Sequence, residues 1–378
     1  MTKFKMLLGL LLGSLTVVAV AEVKPLMNQM FNEIFTLKPF IVSETAFSDP
    51  KNAPAIDKSL KHMIEVSKSI NHETQIKRSG FEISGKVLSQ QLKEVDQVFL
   101  AGNKDYSLWM LKSTLSVCMN CHTQLPAMST HLTTLNQGHI LTNPFEEAEF
   151  LFVIRNFDEA MKLYQKALDG YPANQVTVDS LEKTVTRQLF YFVRVRRSMD
   201  DLAKALEGDL KNSKLPKSLH EKIEGLKSAA LKMKKEKYPE FSAKEEADVR
   251  KYVESNLKEE LNGNFSYNSP ERQIQYLKIS SILYEYLQAN PGTHIKPDIL
   301  YWLSFCEARY SHQLSYSMPE LYLKQCVLEF PKNPIAKKCL ADYQELVTMA
   351  YTGTSGTHIP AEVAKELKTM EELVKKVD

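Results

Sequence analysis

The sequence predicts an all-α protein. Apolar residues recur at spacings of three and four, as in Leu60 and Ile64, in Leu88, Leu92, Val95 and Phe99, and in Val363, Leu367, Met370, Val374 and Val377. Alternating strand patterns and hairpin dipeptides are scarce. The 13 glycines in 378 residues leave little of the turn punctuation that an all-β chain needs.

Residues 1–21 begin with Lys3 and Lys5, continue as an apolar run short for a bilayer span, and finish Ala19-Val20-Ala21. That is the pattern of a secretory signal peptide, so the expected mature chain is exported, periplasmic and soluble. Its removal leaves 46 basic and 46 acidic side chains. Such a balance argues against a nucleic-acid binder, which needs a basic surface to release phosphate counterions. No later segment is long and apolar enough to span a membrane.

Four helices are predicted next, at about 25–37 before Pro39, about 53–70, about 74–101 before Gly102-Asn103, and about 104–125 before Pro126. Four antiparallel helices of this length form a bundle whose interior can hold a cofactor.

The fourth helix ends in the densest cluster of chemistry in the chain, SVCMNCHTQLP. At helical spacing Cys118, Cys121 and His122 share one face with Leu111 and Leu115. C-x-x-C-H is the attachment signature of c-type haem: two thiols form thioethers to the porphyrin and the imidazole ligates the iron. Competing readings are a disulfide, a redox-active C-x-x-C and half of a zinc site. A thioredoxin-type motif wants a preceding strand and a βαβ setting, which the sequence lacks. Zinc wants a second ligand pair, and Cys306, Cys326 and Cys339 are distant and scattered.

Residues 22 to about 130 resemble the class II c-type cytochromes of the cytochrome c-prime kind, in which C-x-x-C-H lies near the end of the last helix of a four-helix bundle. The stretch AGNKDYSLWMLKSTLSVCMNCHTQLP is similar to that helix and its preceding turn. The resemblance implies one covalent haem c, held by Cys118 and Cys121, with His122 as proximal iron ligand. The family places a distal residue on the first helix. By the spacing of Met30, Ile34, Leu37 and Pro39 that residue is Met27, a candidate sixth ligand, with Met30 as the other methionine there and core packing as the plain role of both. The family usually carries an aromatic and a basic residue just after the motif's histidine. Thr123-Gln124-Leu125-Pro126 supplies neither, which weighs against gas binding. His62, His72, His131 and His139 are expected to be solvated surface groups.

A polar connector ends this domain near 142. Residues 143–172 resemble one tetratricopeptide repeat, with Ala148 and Leu151 on a first helix, Ala160, Tyr164 and Ala167 on a second, and Pro172 closing it. Small residues let the two helices approach, while Leu151 and Tyr164 fill the layer between them. Later helices ending before Pro291 and Pro331 read as divergent units of a helical-hairpin solenoid over 143–350, followed by a linker and C-terminal helix over 351–378. The basic residues Arg194, Arg196, Arg197, Lys232, Lys234, Lys235 and Lys237 are expected on solvated helix faces, with a patch for an acidic partner as the alternative. In an exported chain cysteines oxidise; the hairpin near Pro331 is able to bring Cys326 and Cys339 together, leaving Cys306, though spacing does not decide connectivity.

No nucleophile–base or acid pair stands at recognisable spacing, so the chain reads as a non-enzyme. The expected function is electron transfer by an exported mono-haem c-type cytochrome whose helical repeats dock a redox partner or a periplasmic complex. The alternatives are a module whose haem binds NO or CO, and a structural scaffold.

Overall fold

The computed structural model describes the chain except for residues 1–22, 74–75, 77–79, 125–142, 175, 237, 242–245, 264–268, 309–317, 355 and 376–378. The expected signal peptide and connector, with His131 and His139, lie outside the described residues. Among the described residues the regular structure is helical apart from one antiparallel pair of two-residue strands, β1 (Thr352–Gly353) and β2 (Gly356–Thr357). No described helix is long and apolar enough to cross a membrane.

The chain divides into two compact units, Met1–Cys121 and His122–Asp378. The first holds α1 (Val23–Ile41), α2 (Glu44–Ser48), α3 (Ala53–His72), α4 (Glu82–Leu100) and most of α5 (Lys104–Gln124). α1 packs on α3, and α3 on α4. Their apolar stripes bury Leu37, Ile56, Leu60, Leu92, Val95 and Phe99, and Phe47 from α2 meets Phe99 edge to face. Small polar side chains tie these helices at defined heights. Asn71 Nδ2 donates to Ser89 Oγ at 2.7 Å, Ser89 Oγ to Ser67 Oγ at 2.9 Å, Gln91 Nε2 to the Met110 carbonyl at 3.2 Å, and Ser107 Oγ to the Val95 carbonyl at 2.9 Å. α3 and α4 approach closely at Gly85, where a Cβ would lie 2.0 Å from Asn71 Oδ1.

Pro39 does not stop α1, which continues to Ile41. Proline removes one backbone donor, yet burial of Leu37 and Ile41 holds the last turn on the core, and the chain breaks only where Ser43 caps α2. α4 ends where Gly102 takes φ 90°, with Asn103 N–H on the Val98 carbonyl and Gly102 N–H on Phe99. This is a Schellman cap with glycine at its left-handed position.

The second unit begins with the last turn of α5 and continues through α6 (Pro144–Val153), α7 (Phe157–Asp169), α8 (Val178–Leu189) running into a π-helical turn Phe190–Val195, α9 (Met199–Asp209), α10 (Lys217–Met233), α11 (Glu246–Asn256), α12 (Lys258–Leu261), α13 (Pro270–Ala289), α14 (Lys296–Ala308), α15 (Met318–Glu329), α16 (Ile335–Ala350) and α17 (Ala361–Lys375). Neighbours in sequence are mostly neighbours in space: α6 with α7, α9 with α10, and each of α13 to α16 with the next. α17 packs on α15 and α16, with Gln344 donating to Glu371 at 2.7 Å.

Between α6 and α7 the small residues Ala148, Ala160 and Ala167 are fully buried with Tyr164. Leu151 is only half-buried, and Phe152 takes the inner position instead, edge-on to Phe157 and Tyr164. The Tyr164 hydroxyl donates to Glu149, which also accepts from Arg187 Nε at 3.0 Å and Nη2 at 3.1 Å. Cys326 and Cys339, on facing helices α15 and α16, form a disulfide. Lys232 pairs with Glu271 and Lys234 with Asp200 on exposed faces, as a solvated surface would have it. Arg194 departs from that expectation: it lies wholly inside, because the π-turn swings it inward onto a buried carboxylate.

Candidate functional site

α5 starts at Asn103, whose side chain accepts from Tyr106 N–H at 3.3 Å, and runs unbroken through the cluster to Gln124. Leu108, Leu111, Thr114 and Leu115 are buried along its inner face. In the last two turns Val117, Met119, Asn120, Thr123 and Gln124 are buried, while Cys118, Cys121 and His122 are half-buried. The three residues of the motif are thus the partly exposed side chains of a helix end that is otherwise covered. Leu115 and Leu111, one and two turns earlier on the same face, are buried.

His122, the first residue of the second unit, is held by the end of α6. Its Nδ1 lies 2.6 Å from the Val153 carbonyl. A carbonyl only accepts, so Nδ1 carries the proton and Nε2 keeps its lone pair. That carbonyl is available because of how α6 ends. Asn156 N–H bonds the Leu151 carbonyl and Arg155 N–H the Phe152 carbonyl, so the cap satisfies the turn before and leaves Val153, at the last helical position, for the ring. The cap needs a left-handed residue, and Arg155 fills that place at φ 65°. Burial, then the positive charge of Arg155, lower the imidazole pKa to about 3, so the ring is neutral at every ordinary pH.

The last residue of α5 is fixed as firmly. Gln124 Nε2 donates to Glu307 Oε1 at 3.1 Å, and the same carboxylate pairs with Arg194 Nη2 at 2.9 Å. Arg194 also donates to Ser280 Oγ at 2.8 Å and stacks over Phe190 at 4.9 Å. Arg194 and Glu307 are a buried ion pair seated at the foot of the motif helix.

The thiols are unlike those of a disulfide oxidoreductase. Neither Cys118 nor Cys121 is in a disulfide, and burial pushes the Cys118 thiol up to about 12. Reactive thiolates occur at helix N-termini or beside cations with their pKa lowered. These thiols sit at a helix C-terminus, where the dipole opposes a negative charge. Among the described residues no three His, Cys, Asp or Glu side chains gather as a zinc site requires. A porphyrin asks for a different donor set: two thiols at i and i+3, and a neutral imidazole at i+4 with its second nitrogen already bonded. The residues present fit that set.

Met27 and Met30 fall differently. Met30 is buried with Ile34 and Leu37, a core residue, whereas Met27 is half-buried in the second turn of α1. His62 Nδ1 meets Glu33 Oε1 at 2.7 Å, which sets the height of α1 against α3. His62 is exposed with its Glu33 partner and His72 is exposed.

Sequence reasoning missed Val153, Arg155, Arg194 and Glu307. Arg155 had a weak signal, since Ile154-Arg155-Asn156 lies between two helices with no glycine to end the first. The others carry no local signal. Protein-family models, curated proteins and solved structures were all compared with the chain, and none matches.

Proposed function

We propose that the chain is an exported mono-haem c-type cytochrome that carries electrons, with the helices of the first unit forming a cytochrome c-prime-like bundle and those of the second a tetratricopeptide-like surface for a redox partner. The observation that carries this reading is the strip on α5: Cys118, Cys121 and His122 are the half-buried residues of a helix end whose other side chains are covered, and His122 Nδ1 is committed to Val153. Cys118 and Cys121 would hold haem c by thioethers, and the Nε2 lone pair of His122 would ligate its iron. Bound there, the group supplies one-electron chemistry. The protein orients the imidazole through the Val153 carbonyl, which also makes it a stronger ligand.

Met27 is the proposed sixth ligand, supported by its partial exposure near the start of α1, where Met30 is enclosed. The paired succession of helices from α6 to α16 supports the docking role, since stacked hairpins present an extended surface while burying only their shared faces.

The test is export from cells competent in cytochrome c maturation. The product is expected to carry one haem by mass, retained in acid acetone, with Cys118→Ala and Cys121→Ala each lowering attachment. Haem that extracts into acid acetone, or no added mass, overturns the reading. The reduced spectrum then decides between carrier and gas binder. A low-spin spectrum unaltered by CO is expected with Met27 bound, and Met27→Ala should convert it to one that shifts with CO. A wild-type spectrum that already shifts with CO would remove Met27 as ligand and favour NO or CO binding.

A further inference from the structure

His122 lies in the last turn of α5, the part of a helix with least to hold it: the final carbonyls lack intrahelical partners and the turn opens readily. A ligating side chain there needs support from outside the helix, and the structure gives this turn two points of it, both within the second unit. One is the Val153 carbonyl on the imidazole. The other lies two residues on, where Gln124, wholly buried, donates through Nε2 to Glu307 Oε1 at 3.1 Å. That oxygen is itself fixed. It also accepts from Arg194 Nη2 at 2.9 Å, and Arg194 is held by Ser280 Oγ at 2.8 Å and by the face of the Phe190 ring. Arg194 points inward because the chain makes a π-helical turn over Phe190–Val195, a rare geometry found frequently at functional sites. A buried ion pair is seldom more stabilising than packed hydrocarbon of the same volume, so stability alone does not account for this one. What the pair supplies is a carboxylate oxygen held still at the end of α5.

Resting on the haem reading above, we propose that Glu307 is a positioning residue for the iron ligand: its carboxylate, aimed by Arg194, grips Gln124 and so fixes the last turn of α5 and the direction in which His122 Nε2 points. The Val153 carbonyl by itself pins one ring nitrogen and leaves the ring free to swing about that hydrogen bond. The Glu307 contact holds the backbone from which the ring projects. Two supports define an orientation that one does not, and an imidazole held in one orientation presents its lone pair along one line.

Variants of the haem-bearing full chain separate positioning from stability. Gln124→Met keeps the Arg194–Glu307 pair and removes the donor, and Gln124→Asn, one methylene short, withdraws it. Arg194→Met with Glu307→Gln removes both charges but leaves an oxygen for Gln124, so it is the conservative rescue. Electron paramagnetic resonance of the ferric protein reads the orientation of the ligated imidazole. The wild type and the rescue should each give one set of g values, while Gln124→Met and Gln124→Asn should each add a second. Amide hydrogen exchange over Cys121 to Gln124 should quicken by about tenfold or more in those two variants. The proposal is overturned if both Gln124 variants keep the wild-type g values, whatever happens to their unfolding temperature, or if the rescue shows a second set as large as theirs. Should one Gln124 variant not fold, the other gives the same comparison. Failure of the haem reading appears earlier and separately, as wild-type protein exported without covalent haem.

Discussion

Breaking the buried pair Arg194–Glu307 should destabilise the second unit by an amount that the structure sets. Both side chains are essentially inaccessible, at 0% and 1%. In Arg194→Met the Glu307 carboxylate loses its cation and keeps Gln124 Nε2 as a donor at 3.1 Å. A hydrogen bond to a neutral amide does not replace the charge–charge attraction that a buried carboxylate loses with its guanidinium partner. The expected loss is about 3–5 kcal/mol, a hundredfold or more in the folded-to-unfolded ratio. Glu307→Gln should cost a similar amount by stranding the guanidinium. The double variant Arg194→Met with Glu307→Gln removes both charges and leaves an acceptor for Gln124, so it should recover at least about 2 kcal/mol relative to the sum of the singles. Guanidinium unfolding followed by fluorescence is the assay: Trp302 lies buried on α14, five residues before Glu307, while Trp109, the other tryptophan, is exposed and is replaced by phenylalanine in all variants. A loss below about 1 kcal/mol in Arg194→Met, or a double variant as unstable as the summed singles, would refute the claim that a dry ion pair anchors the foot of α5.

Three further outcomes follow from other parts of the fold. Reducing the Cys326–Cys339 disulfide, which closes a loop of 13 residues, should lower stability by about 3 kcal/mol in thermal unfolding with and without reductant, and a Cys326→Ala/Cys339→Ala variant should be indifferent to the reductant. Asp209, buried at the C-terminal end of α9 with Gln188 Nε2 at 3.3 Å, has its carboxyl raised to about 7 by burial. Its folded pKa exceeds its unfolded one, so it favours folding in the protonated form and weakens folding as pH rises through about 7; Asp209→Asn should gain about 2–4 kcal/mol in urea unfolding at pH 8 and almost nothing at pH 4. Ala160→Leu should cost about 1–3 kcal/mol by forcing α6 and α7 apart where Ala148, Ala160 and Ala167 are fully enclosed, and an unchanged denaturation midpoint would show that the contact yields.

By itself the sequence determined the all-α class, the close packing of α6 on α7 through alanines, the glycine end of α4 and the C-x-x-C-H strip on one face of α5. These are local properties: a repeat of three or four residues, a cap or a motif is complete within one turn or one loop, and intrinsic geometry reads it out. Pro39 and Leu151 mark the edge of that reach, since burial of Leu37 and Ile41 carried α1 past its proline and packing chose Phe152 over its neighbour. Tertiary structure alone decided that the Val153 carbonyl, 31 positions away, would hold His122, and that Glu307 would gather Gln124 and Arg194 from 183 and 113 positions away. Nothing periodic links such residues. A buried polar group must find a partner wherever the fold brings one, and only the folded chain specifies which carbonyl or charge is there.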